Sequence, residues 1–142
     1  MHILMALLSA ASVLHGWDAR REHAWAASDP AALRALYVPG SVAATRDVRL
    51  LRAYDERGLV VRRIVTQVFA LQVVDSSRRR ITINVVDRVA GGVVGDAVGN
   101  RPLGSTPPSA RLIRFRRVDG VWRVVSVTER APREAQPRRR DH

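Results

Sequence analysis

The chain has 142 residues, of which 46% are hydrophobic and 26% charged, and this composition predicts one globular domain and excludes a disordered chain. It contains no cysteine, which excludes disulfides, thiolate metal sites and cysteine nucleophiles. The net charge is +11, but all 24 basic residues are arginine, and they are spread along the chain among the acids. This pattern indicates a GC-rich genome, so we do not expect a nucleic-acid partner; that alternative would require arginines clustered on one face.

The N-terminal segment contains an apolar run, residues 3–14, with the length of a signal-peptide core. No Lys or Arg precedes the run, no cleavage site follows it, and it is too short to span a bilayer. We interpret it as the start of a long helix that continues to about Ala27, with Leu14 and Trp17 on its buried face. The protein is therefore predicted to be cytoplasmic, without a membrane span. Export or membrane anchoring is the alternative if the true start lies upstream.

A second, short helix is predicted after residue 28. Asp29 is a favourable N-cap, and Pro30 suits the first helical position. Pro39-Gly40 then turns the chain. The side chains predicted to be buried are Leu33, Leu36 and Tyr37. So short an element usually covers something, and we expect it to close over a cavity.

A third helix is predicted over residues 46–57. Thr45 is its expected N-cap, and Gly58 sits where a left-handed residue ends a helix. Residues 41–44, between the second and third helices, are the candidate for a short extra strand.

The second half of the chain predicts strands. Residues 60–74 and 79–94 are rich in β-branched side chains and are joined by a polar turn, and Gly91-Gly92 suggests a bulge in the second of them. Residues 99–109 have the composition of a loop. The last two strands flank Asp119-Gly120, a strong hairpin signal. Three helices followed by a four-strand meander predict an α+β fold, with the helices on one face of a bent antiparallel sheet.

Three passages resemble the nuclear transport factor 2-like superfamily, which contains ketosteroid isomerase and polyketide cyclase-like proteins. They are "SDPAALRALYVPGS" after a long helix, a capped third helix ending in glycine, and the closing hairpin "RVDGVWRVVSV". The resemblance implies a cone: a curved sheet wrapped around the long first helix, with a cavity open at one end and dimers formed sheet to sheet. It covers a single domain over residues 1–130. Residues 131–142 are predicted to be a disordered basic tail.

Two polar residues are predicted to point inward. Alternation places Asp87 on the same face as Ile81, Ile83 and Val85, where a carboxylate is unexpected. It is either a base or binding group in a cavity, or one partner of an ion pair with arginine. The same alternation places Gln67 inward, beside Phe69. With the aromatic residues, which are either core or cavity wall, the candidate ligand-binding set is Trp17, Tyr37, Tyr54, Gln67, Asp87 and Trp122.

The leading hypothesis is a non-catalytic cone domain that binds a small apolar ligand or a protein partner. A homodimer through the sheet is expected, because the closing strand has apolar side chains on both faces: Trp122 and Val124 on one, Val121, Val125 and Val127 on the other. No cofactor is expected. No metal site is expected either, because no two histidines have ligand spacing.

The alternative is a small lyase or isomerase that uses Asp87 as general base with Tyr37 or Tyr54 as hydrogen-bond donor. The superfamily also includes epoxide hydrolase-like members with an acid–arginine–acid arrangement, but the sequence shows only one inward acid. An Asp87 free in a roomy cavity near a tyrosine would favour catalysis. An Asp87 held by a two-bond contact with arginine in a filled interior would argue against it.

Overall fold

A computed structural model describes residues 2–130, with side chains from residue 4 onward. The three helices are α1 His2–Ala26, α2 Pro30–Arg34 and α3 Val42–Glu56. The strands are β1 Val60–Ser76, β2 Arg80–Gly95, β3 Asn100–Pro102, β4 Ser109–Val118 and β5 Val121–Arg130. This is the predicted α+β order, with the short β3 added inside the predicted loop. The predicted tail, 131–142, lies outside the described residues.

Helix α1 includes the apolar N-terminal run, as interpreted from the sequence. Its first turns expose Leu4, Met5 and Leu8, whereas Leu14 and Trp17 are buried. The buried side begins only where α1 meets the rest of the molecule. Among residues 2–130, no helix combines the length and the apolar character needed to cross a membrane.

Helix α2 forms as the sequence predicts. The Asp29 side chain accepts a hydrogen bond from the backbone N–H of Ala32, and Pro30 follows at the first helical position. Beyond the helix, the backbone makes a short parallel bridge between Tyr37 and Val124 of β5. The three predicted core residues of this segment are all buried: Leu33, Leu36 and Tyr37. The short helix therefore fastens the chain to the end of the sheet.

Helix α3 begins earlier than predicted. Ser41, not Thr45, is the N-cap: its hydroxyl accepts from the backbone N–H of Ala44, while the Thr45 hydroxyl donates to the Ser41 carbonyl within the first turn. Residues 42–44 are therefore helical, and the extra strand predicted at 41–44 is wrong. Both residues are good caps, so sequence alone favours neither. At the other end Gly58 has a φ of +69°, the left-handed conformation predicted for it.

The strands form one antiparallel sheet in the order β1-β2-β4-β5, the predicted meander, and β3 pairs with the end of β2. Asp119 and Gly120 both have positive φ angles, as a two-residue hairpin turn requires. The sheet is curved. Helices cover its concave face, where the largest fully buried side chains are Phe115, Leu33, Leu51, Ile81, Ile83, Val48, Val85 and Val124.

Strand β1 is irregular, and this determines which side chains it turns inward. Opposite Gly92, β1 has two residues, Arg63 and Ile64. On β2, Ala90 is itself an extra residue next to Gly91, so the irregularity predicted at Gly91-Gly92 involves both strands. Arg63 has a φ of +56°. Phe69 and Val74 are further extra residues in the pairing with β2. Each such insertion reverses the alternation of faces along the strand.

Candidate functional site

A cavity of about 430 Å³ lies between α1 and β1. The lining residues from α1 recur at helical spacing and include one guanidinium beside the two carboxylates: Ala11, Leu14, His15, Asp18, Ala19, Arg21, Glu22. From β1 come Ile64, Thr66, Val68 and Leu71. Most of the lining surface is apolar, and this volume suits a small ligand. None of the six residues predicted to bind a ligand lines this cavity.

A larger hollow, of about 580 Å³, lies beside α2. Its lining consists mostly of exposed side chains, including Asp29, Arg34 and Arg52. It is a groove on the outer surface, so the cavity beneath α1 is the better candidate for a ligand site.

Asp18 is the carboxylate on the cavity wall. It is half-buried, and no group among residues 4–130 donates a hydrogen bond to it. Burial raises its pKa to about 6, because the charged form loses water without gaining a donor. The positive charges of Arg111 and Arg21 oppose this rise in pKa, whereas the charge of Asp87 adds to it.

Asp87 points inward, as the alternation predicted, and is only 3% exposed. Its partner is an arginine: a terminal nitrogen of Arg111 donates to Asp87 Oδ2 at 2.5 Å. The contact is a single hydrogen bond, and the buried Nε of Arg111 has no partner within the described part of the chain. Of the two interpretations offered for Asp87, the contact with Arg111 matches the ion pair.

A second buried carboxylate, Asp47 of α3, accepts four hydrogen bonds. Arg21 donates to both of its oxygens at 2.7 Å, the Tyr37 hydroxyl donates at 2.6 Å, and the Trp25 indole N–H at 3.2 Å. Burial opposes ionisation of Asp47, but the bonds and charge of Arg21, helped by Tyr37 and Trp25, hold its pKa below the ordinary value. Burial and the neighbouring Asp47 carboxylate raise the pKa of Tyr37.

The two tyrosines predicted to serve Asp87 lie elsewhere. Tyr37 donates to Asp47, and Tyr54 packs edge-on against Trp25, with ring centroids 5.6 Å apart. Within residues 4–130 neither makes a hydrogen bond to Asp87, so the structure does not assemble the predicted Asp87–tyrosine pair.

The two predicted tryptophans line neither the cavity nor a site with Asp87. Trp17 is buried, donates its indole N–H to the Leu36 carbonyl at 2.8 Å and packs edge-on against Tyr37 and Phe115. Trp122 is half-buried, and it borders with Trp17 a separate hollow of about 400 Å³ on the other side of α1. Both tryptophans thus belong to the packing around α1.

Gln67 does not point inward. Its side chain is exposed, and its amide oxygen accepts from Arg88 Nε at 2.9 Å on the outer face of the sheet. Phe69 is 51% exposed, whereas Leu71 beyond it packs against the core. The extra residue at Phe69 reverses the alternation between them, which an unbroken period-two pattern cannot anticipate.

An insertion at Val125 of the closing strand, β5, also reverses the alternation of faces. Val127 was predicted to share the outer face with Val121, but it pairs with the buried Ile113 and packs against the core. Val121 is 40% exposed. The predicted outer apolar stripe of β5 is therefore shorter than its sequence indicates.

Three charged residues of these sites were missed from the sequence: Asp18, Asp47 and Arg111. The available signal was the helical spacing of His15, Asp18 and Glu22, a polar stripe that a surface helix also shows. Only the fold reveals that β1 covers this stripe. Among residues 4–130, no group of three acidic or histidine side chains could hold a metal ion.

Arginines gather at one end of the sheet. Arg80 pairs directly with Arg116, and Arg116 with Arg123, so three like charges lie abreast across neighbouring strands. Such pairs are destabilising by themselves and would be relieved by an anion. Bare charge of this kind binds polyanions without sequence preference, and retention on heparin that is lost at modest salt would reveal it.

Comparison with known proteins supports the fold. No protein-family model and no curated protein matches the chain. Among solved structures, Aln2 from a Streptomyces species superposes with a TM-score of 0.57 at 18% identity, over 85% of this chain and 89% of that one. The intermembrane space region of the chloroplast protein ARC6 gives 0.56 at 12% identity, over 89% and 97%. The chain therefore shares the α+β architecture of these two structures.

An NTF2-like protein with a cystatin-like fold from Novosphingobium aromaticivorans is 21% identical, with a TM-score of 0.49 over 88% of this chain and 83% of that one. At these identities the likeness concerns architecture alone. A shared architecture does not fix a function, so the function of this chain has to be argued from its own cavity.

Proposed function

We propose that this protein binds a small, largely apolar molecule in the cavity between α1 and β1. The observation that carries the proposal is one carboxylate without a hydrogen-bond donor, Asp18, on the wall of an otherwise mostly apolar cavity of about 430 Å³. Asp18 is half-buried, and its raised pKa shows that its charged form has lost part of its hydration without gaining a donor. A ligand that supplies a donor while filling the apolar space would offset that loss.

Filling the cavity tests the proposal. Ala11→Trp places an indole in the cavity, and Ala53→Trp makes the same change at an exposed position on α3, outside the lining. Small apolar molecules such as benzyl alcohol should raise the melting temperature of the wild type and of Ala53→Trp, but not that of Ala11→Trp. Equal stabilisation of all three proteins would place the binding elsewhere.

A catalytic alternative is favoured by one observation. Asp18, Arg111 and Asp87 form an acid–arginine–acid set, the arrangement of the epoxide hydrolase-like members, in which Arg111 already holds Asp87 and lowers the pKa of Asp18. With a pKa of about 6, Asp18 is partly protonated near neutral pH and could donate a proton to an epoxide oxygen while water opens the ring to a diol. The attacking water then releases its proton to solvent, from which Asp18 is reprotonated.

Formation of the diol from cyclohexene oxide, followed by gas chromatography, tests this alternative. Turnover that is lost in Asp18→Asn and kept in Asp55→Asn would support it. An equal rate in the two variants would exclude Asp18 as the acid. The alternative predicted from the sequence, Asp87 as base with a tyrosine donor, has no support in the contacts described above.

We retain a homodimer through the sheet as a further proposal. Its support is a row of exposed apolar side chains on β1: Val65, Phe69 and Val74, each about half exposed. Phe69→Arg should convert a dimer to a monomer in analytical ultracentrifugation at micromolar concentration. A wild-type protein that sediments as a monomer would contradict the proposal.

A further inference from the structure

A chain with a net charge of +11 would be expected to pair a half-buried carboxylate such as Asp18 with an arginine, but Asp18 has no such pair among the described residues. The charged and titratable groups that face it from α1, β2 and β4 are His15, Arg21, Glu22, Asp87 and Arg111. The two arginines would be the natural partners of its carboxylate. Each of them, however, is already committed to another acid.

Arg21 turns its guanidinium towards α3, where both oxygens of Asp47 accept from it at 2.7 Å. Arg111 turns a terminal nitrogen to Asp87. Each pair is electrically neutral as a unit. At Asp18 the charge of Asp87 opposes that of Arg111, whereas Arg21 still attracts the carboxylate. Neither arginine is bonded to Asp18 within the described residues, so its carboxylate oxygens are open to a donor from a ligand.

Glu22 adds to the negative charge of the same wall. It lies one helical turn beyond Asp18, lines the cavity and accepts a hydrogen bond from the backbone N–H of Arg63 at the β1 bulge. A backbone N–H carries no net charge, so this bond does not neutralise the Glu22 carboxylate. The cavity thus has two carboxylates and no guanidinium without an acidic partner, inside a protein with a net charge of +11.

We propose that the ligand of this cavity is a small organic cation, a primary amine with an apolar body whose ammonium group pairs with Asp18. The inference rests on the proposed function and names its ligand class. The hydrocarbon part contacts Leu14, Ile64 and Leu71, which supply the apolar lining. The ammonium group donates the hydrogen bonds that Asp18 lacks, and charge-assisted bonds of this type are the stronger ones.

The proposal predicts a pH dependence with a definite sign. Only ionised Asp18 attracts the ammonium group, and burial has raised its pKa to about 6. Affinity should therefore be constant above pH 7 and fall by about tenfold for each pH unit below 6. A neutral ligand of the same shape should show no such fall.

Three probes of one shape test the inference: benzylamine, benzyl alcohol and benzoate, titrated into the full chain and followed by NMR at pH 7.5. We expect benzylamine to bind about tenfold more tightly than benzyl alcohol, and benzoate to bind most weakly. Equal affinity of amine and alcohol would overturn the inference and leave the cavity proposal standing. Tighter binding of benzoate would also overturn it, with Arg21, the arginine on the cavity wall, as the recognising group. Binding of none of the three would overturn both.

Two variants locate the effect. Asp18→Asn should lower the affinity for benzylamine to that for benzyl alcohol and remove its pH dependence, while Asp55→Asn, an exposed acid on α3, should change neither. A preference for the amine that survives in Asp18→Asn would contradict the assignment of Asp18. Asn is close to Asp in size and removes a costly buried charge, so we expect this variant to fold.

Discussion

Asp47 and Asp18 are two carboxylates in similar surroundings with opposite chemistry. Both lie on helices; Asp47 is buried and Asp18 is half-buried. Asp47 accepts four hydrogen bonds, from Arg21, Tyr37 and Trp25, and its pKa is lowered. Asp18 accepts none from the described residues, and its pKa is raised to about 6. Burial alone therefore does not decide whether a carboxylate stabilises this protein; the donors that meet it do.

The difference in hydrogen-bond donors suggests different roles: Asp47 stabilises the fold, whereas Asp18 is available to a ligand. The Asp47 cluster joins α1, α3 and the segment after α2, so its bonds are satisfied within the protein. Asp18 faces a cavity, and its missing donor can come from outside. The following variants are designed to break or sharpen this contrast, in order of expected effect.

The largest loss is expected for Asp47→Asn. It leaves Arg21 buried without its counter-ion, and removal of one partner of a buried pair typically costs about 3–5 kcal/mol. The free energy of unfolding from urea denaturation measures the loss. Asp55→Asn, on the exposed side of the same helix, is the control and should change the stability by less than about 0.5 kcal/mol. A loss as small as that of the control would show that Asp47 does not hold the helices together.

Asp18→Asn should have the opposite sign. The pKa of Asp18 rises on folding from 3.8 to about 6, so its ionisation costs the folded state up to about 3 kcal/mol above pH 6 and nothing below pH 3.8. The variant should be more stable than the wild type at pH 7.5, and the gain should disappear as the pH falls to 4. Denaturation curves at both values measure it. Destabilisation at pH 7.5 would mean that Asp18 has a partner in solution.

A smaller loss, of about 1–2 kcal/mol, is expected for Tyr37→Phe, which removes one hydrogen bond to Asp47 and keeps the ring packing against Trp17. Tyr54→Phe is the matched control, because Tyr54 contributes its ring to the Trp25 contact. Equal losses in thermal denaturation would show that the Tyr37 hydroxyl is not part of the Asp47 cluster.

Much of the fold was accessible from the sequence because local signals decide it. Asp29-Pro30 starts α2, Asp119-Gly120 forms the last hairpin, and the alternation that buries Asp87 holds along β2. The same alternation failed for Gln67, because an insertion in β1 depends on its pairing with β2 and not on its own residues. The dimer and the cytoplasmic location stay predictions.

The site was less accessible for a related reason. Asp18, Asp47 and Arg111 lie on three elements far apart in the chain, and each resembles an ordinary surface residue in its own segment. What distinguishes them is which neighbour each one meets. Asp87 stood out only because its own strand is otherwise apolar. A sequence reveals a charge in an apolar pattern more readily than a charge that the fold later encloses.

The parallel bridge between Tyr37 and Val124 has a consequence for how copies of this protein meet. The strand β5 is the last of the sheet, and its unpaired backbone could recruit a strand from another molecule. Around Val124, both backbone groups are instead taken up by Leu36 and Val38. The segment after α2 thus occupies backbone groups of this edge strand and disfavours its pairing with a strand of another molecule.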